Sequence, residues 1–117
     1  MNPTSTRLCL VRHCETDWNA ERRIQGQNNT PLNQVGIAQA AAASRALSST
    51  PFSAIYSSDL LRAQHTAETI AAAQHTAVIT QVSLRERHYG IFQGLTYAEA
   101  EARCPDVRTQ VAPGTPY

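Results

Sequence analysis

Lysine is absent from this sequence: all ten cationic residues of the 117-residue chain are arginine. That excludes a Walker-type phosphate loop, a Schiff-base lysine and a pyridoxal-phosphate site, each of which needs a lysine amine. A coding preference of the source genome explains the bias more simply than chemistry does. There is also no excess of either charge, with ten Lys+Arg against nine Asp+Glu, which argues against a nonspecific nucleic-acid binder. No apolar run approaches the roughly 20 residues of a membrane span, so no membrane partner is expected. The three cysteines, Cys9, Cys14 and Cys104, are odd in number and lack metal-ligand spacing. With no basic segment leading into an apolar stretch at the start, the expectation is a reducing, cytoplasmic setting and no bound metal.

What is present is globular, with 42% hydrophobic and 16% charged residues, and sized for one domain over residues 1–117. Thr6 to Val11 reads as a short apolar strand, and the polar stretch from Glu15 to Asn33 as a long loop of the kind that usually carries function. An alanine-rich helix is expected from Gln34 to Leu47, capped by Asn33 and ended before Pro51. A second strand (Ala54 to Ser57) precedes a helix from Asp59, its cap, to about Gln74. Ala77 to Val82 reads as a third strand, β-branched and apolar. Thr96-x-x-Glu99 is a capping box for a last helix that Pro105 stops. The alternation implies parallel strands in an α/β sandwich, with a thin core because alanines bury little area each.

Ligands of open parallel sheets bind beyond the carboxyl ends of the strands. There the order of elements places Arg12 and His13, then Arg62 in the first turn of its helix, then Glu86 and His88. A cation at a helix N-terminus opposes the helix dipole by about 0.3–1 kcal/mol, a term that a bound anion would reverse. Two guanidinium groups around one imidazole fit a phosphate. The imidazole then serves as nucleophile and the carboxylate as proton donor to the departing alcohol, with no metal or other cofactor required.

These residues carry a resemblance. Arg12-His13-Cys14-Glu15-Thr16-x-Trp18-Asn19 resembles the R-H-G-E-T-x-W-N signature of the histidine phosphatase superfamily, the phosphoglycerate mutase-like family. Gln25-Gly26, Leu32 with Gly36 and Gln39, Ser57-Ser58-Asp59-Leu60-x-Arg62-Ala63-x-x-Thr66-Ala67 and Glu86-x-x-x-Gly90-x-x-x-Gly94 follow in order. The resemblance implies a three-layer sandwich with a mostly parallel sheet, truncated at its C-terminus. It implies a phosphohistidine on His13, a clamp from Arg12 and Arg62, and Glu86 as proton donor. Asn19, Gln25, Gly26, Arg87, His88 and Tyr89 would line the substrate side.

Two departures stand out. Cys14 occupies the family's glycine position, yet no cysteine has an arginine six residues on, so a cysteine nucleophile is not expected. The family's second catalytic histidine lies in its C-terminal half, and none of His65, His75 and His88 has its H-G context. The implied function is metal-independent phosphotransfer on a small phosphorylated substrate, with a phosphatase favoured over a mutase. A noncatalytic fragment that at most binds phosphate is the alternative. Unpaired apolar sheet edges would favour self-association into a homo-oligomer. Trp18 is expected to pack, Arg22-Arg23 to form a solvated pair, and Glu15 and Asp59 to act as caps or as ion-pair partners of arginines.

Overall fold

A computed structural model of the chain describes residues 5–104. The polar stretch after Glu15 is not all loop, because Thr16 starts one turn of helix, α1 (Asp17–Ala20). Thr16 Oγ1 accepts the Asn19 N–H while Asn19 Oδ1 accepts the Thr16 N–H, a reciprocal capping box. Helix α2 (Gln34–Ala46) begins at the expected cap, with Asn33 Oδ1 accepting the Gly36 N–H at 2.8 Å. Strand β1 (Ile55–Ser57), helix α3 (Leu61–Ala72) and strand β2 (Val78–Thr80) follow, and helix α4 (Tyr97–Arg103) closes the series. Thr96 caps α4 by accepting the Glu99 N–H, as the capping-box spacing predicts. Pro105 and the tail from Asp106 to Tyr117 lie outside the described residues.

β1 and β2 pair in parallel, with Ile55 opposite Val78, Tyr56 opposite Ile79 and Ser57 opposite Thr80. Parallel neighbours need a crossover, and α3 supplies it while packing against both strands; α2 packs on α3. This is the α/β class expected. Of the three-layer sandwich, the described residues form this strand pair and its helical cover.

Two local expectations are corrected. Thr6 to Val11 forms no strand, because a strand exists only with a ladder partner and no described residue pairs with this segment. The segment and β1 instead line an open apolar groove of about 920 Å³, leaving Leu8 and Leu10 83% and 92% exposed. Asp59 does not cap α3. The N-cap residue is Leu60, without a side-chain bond, and the Leu61 N–H is taken by Asn29 Oδ1 at 2.7 Å from the long loop. Asp59 is committed to Arg85.

The core is thin, as the alanine content implies. Ile24 and Ala100 are buried with Tyr89, Phe92, Leu95 and Tyr97 packed around them. Leu32, Ala40, Leu60, Ile70 and Ala71 are buried elsewhere, while Tyr56 and Ile79 on the strand pair remain exposed. No described helix is long and apolar enough to cross a membrane.

Candidate active site

Gly36 brings α2 onto the backbone that leads out of His13. A Cβ there would lie 2.0 Å from the Glu15 carbonyl oxygen, so only glycine permits the approach. Across that contact the Asn33 N–H donates to Glu15 O at 3.0 Å, and the Glu15 N–H donates to Gln39 Oε1 at 3.0 Å. On the other side α3 reaches in: the Cys14 N–H donates to Thr66 Oγ1 at 3.1 Å, and that hydroxyl donates to Arg62 O. The residues after His13 are therefore fixed from two helices. Glycine is not required at position 14, since Cys14 is not among the residues with positive φ. Its two structural contacts come from its backbone.

His13 is held in one ring orientation. Its Nδ1 lies 2.7 Å from Cys14 O, which can only accept, so Nδ1 carries a proton and Nε2 is the atom turned toward the chemistry. Nε2 stands 3.1 Å from Glu86 Oε1. The other carboxylate oxygen, Oε2, accepts from Arg62 Nη2 at 3.1 Å. Arg62 is fully buried, and its remaining bonds run to Asn28 O at 2.5 Å and Gly26 O at 2.6 Å. Its Nε–H is buried with no partner among the described residues, an omission that costs about 1–3 kcal/mol unless something accepts it. A cation in the first turn of α3 is thus offset by two carbonyls and one carboxylate, and still presents an unused donor.

Burial pushes the Glu86 carboxyl up, but the His13 hydrogen bond and the charges of Arg62 and His13 outweigh it and hold the group below its ordinary value. Glu86 is therefore a carboxylate at neutral pH. It bridges the imidazole and the guanidinium.

Arg12 lines the groove together with His13, Arg62 and Glu86. It also lines a second cavity of about 520 Å³ with His13, Asn19 and Arg22. The structure thus brings together the four residues expected to do chemistry. The expected substrate-side residues are placed differently. Asn19 lines the second cavity while its Oδ1 serves the α1 cap, and Gln25 is buried, accepting the Thr16 hydroxyl at 2.6 Å. Gly26, at φ +54°, offers its carbonyl to Arg62. Arg87 and His88 are exposed, the latter accepting the Gly90 N–H, and Tyr89 packs against Ile24. His65 and His75 are exposed on and after α3, and the ring of His13 is hydrogen-bonded to Cys14 O and Glu86 Oε1 rather than to another histidine.

Several roles were not read from the sequence. The sequence shows Thr66 only as part of a motif string and not its hydroxyl bridge; a threonine one turn after Arg62 on the same helix face is the available signal. Gln27, whose Nε2 donates to Glu86 O at 3.2 Å, and Asn29 carried no signal. Trp18 packs as expected, against Gly94. Arg23 is not a solvated cation: it donates to Gly94 O at 2.8 Å and lies 3.6 Å from both Glu21 and Glu99.

Comparison with known proteins bears on this geometry. Residues 8–116 match the model of the histidine phosphatase superfamily, branch 1. The chain belongs to the histidine phosphatase superfamily. It is 48% identical over 101 residues to phosphoglycerate mutase-like protein 4 of Arabidopsis thaliana, covering 85% of this chain and 44% of that protein. To the metal-independent phosphoserine phosphatase of the same plant it is 45% identical over 103 residues, covering 86% and 43%. Among solved structures, mycobacterial glucosyl-3-phosphoglycerate phosphatase in complex with VO3 superposes with a TM-score of 0.79 at 40% identity, covering 84% of this chain and 47% of that one. The chain spans about half the length of the curated relatives it matches. The likeness confirms the phosphoglycerate mutase-like α/β fold.

Proposed function

We propose that this histidine phosphatase domain hydrolyses small phosphomonoesters through a phosphohistidine on His13, without a metal, in the cytoplasm. The observation that carries the reading is the carboxylate of Glu86 standing 3.1 Å from both His13 Nε2 and Arg62 Nη2. The names of the relatives, among them a phosphoserine phosphatase and a glucosyl-3-phosphoglycerate phosphatase, support the substrate class.

The proton inventory follows from the bonds. With Glu86 ionised and Nδ1 protonated, the 3.1 Å contact is an Nε2–H donating to the carboxylate. A phosphomonoester bound by Arg12 and Arg62 competes for the positive charge that keeps Glu86 ionised, so the carboxyl rises and takes the Nε2 proton. That single transfer frees the Nε2 lone pair and arms Glu86 as an acid. Nε2 then forms the N–P bond as the ester P–O bond breaks, and Glu86 gives its proton to the leaving alkoxide. In the second half Glu86 accepts a proton from water as the water oxygen attacks phosphorus and the N–P bond breaks, releasing phosphate. The arginines neutralise the transferring oxygens throughout.

Rapid-quench labelling with a radioactive phosphomonoester tests the reading. Acid-labile, base-stable label should map to His13 and vanish in His13→Ala. Label retained in that variant overturns the assignment; absence of label in the wild-type chain favours a fragment that only binds phosphate.

A further inference from the structure

We propose that the Asp59–Arg85 ion pair is a positioning device for Glu86, a bidentate clasp that keeps the carboxylate in place when the phosphate group takes over Arg62. The proposal rests on the role of Glu86 given above.

The clasp is planar and double. Arg85 Nε donates to Asp59 Oδ1 at 2.6 Å and Nη2 to Oδ2 at 2.6 Å, the geometry in which a guanidinium fixes orientation as well as distance. Its location gives it meaning. Asp59 stands just ahead of α3, three residues before Arg62, and Arg85 immediately precedes Glu86. The same two segments are therefore tied twice, once by Arg62–Glu86 inside the site and once by Asp59–Arg85 at its margin.

These ties respond differently to substrate. Arg62 Nη2 is shared between Gly26 O and Glu86 Oε2, and an anion drawn to that guanidinium weakens the hold on Glu86. His13 Nε2, the carboxylate's other partner, is consumed when the N–P bond forms. At the moment Glu86 must deliver a proton, both of its side-chain tethers are engaged elsewhere. What remains is the Gln27 Nε2 bond to Glu86 O and the clasp one residue upstream. Neither touches the reacting atoms. Both Asp59 and Arg85 are about one-third exposed, so their pairing contributes little to overall stability, and the position of the next residue is what it controls. Arg85 sits in extended backbone after a short 3-10 turn (Val82–Leu84), a segment that no ladder partner among the described residues holds.

The electrostatic and positional effects have opposite signs, which makes the test decisive. Glu86 faces His13 and Arg62 directly, with Arg85 and Arg87 beside it along the chain and Asp59 behind Arg85. Replacing Asp59 by asparagine removes a negative charge, which through the field alone favours ionised Glu86 and lowers its titration midpoint. Loss of position withdraws Glu86 from His13 and Arg62 and raises it. The experiment is a carbon-13 NMR titration of the Glu86 carboxyl in the ligand-free chain, assigned with Glu86→Gln. Asp59→Asn and Arg85→Lys, which keeps the charge but not the fork, should both raise the midpoint. A midpoint that falls or stays put in these variants overturns the proposal, and Arg85→Lys decides it alone if Asp59→Asn does not fold. In turnover, the variants should lose roughly 5- to 50-fold in kcat with KM held within about twofold, part of the 10²–10⁴ that general acid catalysis supplies. Failure of the functional reading is seen separately, in wild-type protein, as no acid-labile label on His13 in the rapid-quench experiment.

Discussion

Gly36→Ala tests how the site is held, because two rules of thumb give opposite signs for it. Glycine inside a helix costs about 1 kcal/mol relative to alanine, so propensity alone makes the variant more stable. The structure says otherwise. The new methyl would stand 2.0 Å from the Glu15 carbonyl oxygen, short of ordinary contact by about 1.4 Å. The obstacle is backbone rather than the end of a flexible side chain, so α2 itself must withdraw. Withdrawal strains the bonds that cross the same contact, Asn33 N–H to Glu15 O and Glu15 N–H to Gln39 Oε1, each contributing about 0.5–1.5 kcal/mol. Overpacking adds about 1–3 kcal/mol. After crediting the helix propensity of about 1 kcal/mol, a net loss of about 1–5 kcal/mol remains. Urea unfolding followed by circular dichroism should place the Gly36→Ala midpoint below that of the wild-type chain at an unchanged slope. A midpoint equal to or above wild type would refute the close-approach argument and leave propensity in charge.

Further outcomes follow from the same contacts. Because the folded Glu86 value is lowered, the stability it contributes is present above its unfolded value near 4.5 and is lost as pH falls through the folded value. Glu86→Gln should therefore cost about 1–2 kcal/mol at neutral pH, and its unfolding midpoint should converge on that of wild type in acid; a difference independent of pH would count against the bridging carboxylate. Cys14→Gly keeps both backbone contacts of position 14, so any activity should be preserved or raised while stability falls by about 0.5–1 kcal/mol from backbone entropy. Complete loss of activity in that variant would mean the thiol takes part. Exposure of Leu8 and Leu10 beside an open groove predicts concentration-dependent self-association in sedimentation velocity. Replacing both leucines by serine should weaken association at least roughly tenfold for each leucine buried at the contact; a wild-type chain that stays monomeric at high concentration rules this out.

Helix positions were legible because their signals are local. Asn33 and Thr96 cap α2 and α4 as read, and the parallel pairing of β1 with β2 follows from a helix lying between two short apolar runs. His13, Arg12, Arg62 and Glu86 were legible as a set because the motif strings that carry them fall in order along the chain. The readings that failed concern partners. Thr6 to Val11 has the composition of a strand but no ladder, since pairing is a property of two segments. Asp59 has the chemistry of a cap, but Arg85 outbids the α3 amide with a charged, two-pronged donor, and Asn29 takes the amide instead.

The absence of lysine turns out to matter in a limited way. Beside His13, the basic side chains that meet the site are guanidinium groups, and Arg62 uses what only a guanidinium has, several fixed donors divided among Asn28, Gly26 and Glu86 with Nε–H unused among the described residues. By itself the sequence determined the family, the α/β class and the four residues proposed for the chemistry, because motif spacing and capping are written along the chain. Only the tertiary structure decided which imidazole nitrogen faces the carboxylate, that Glu86 bridges the His13 imidazole and the Arg62 guanidinium, and that α2 touches the backbone after His13. Those are contacts between segments tens of residues apart, and their geometry comes from packing rather than from neighbours in the chain.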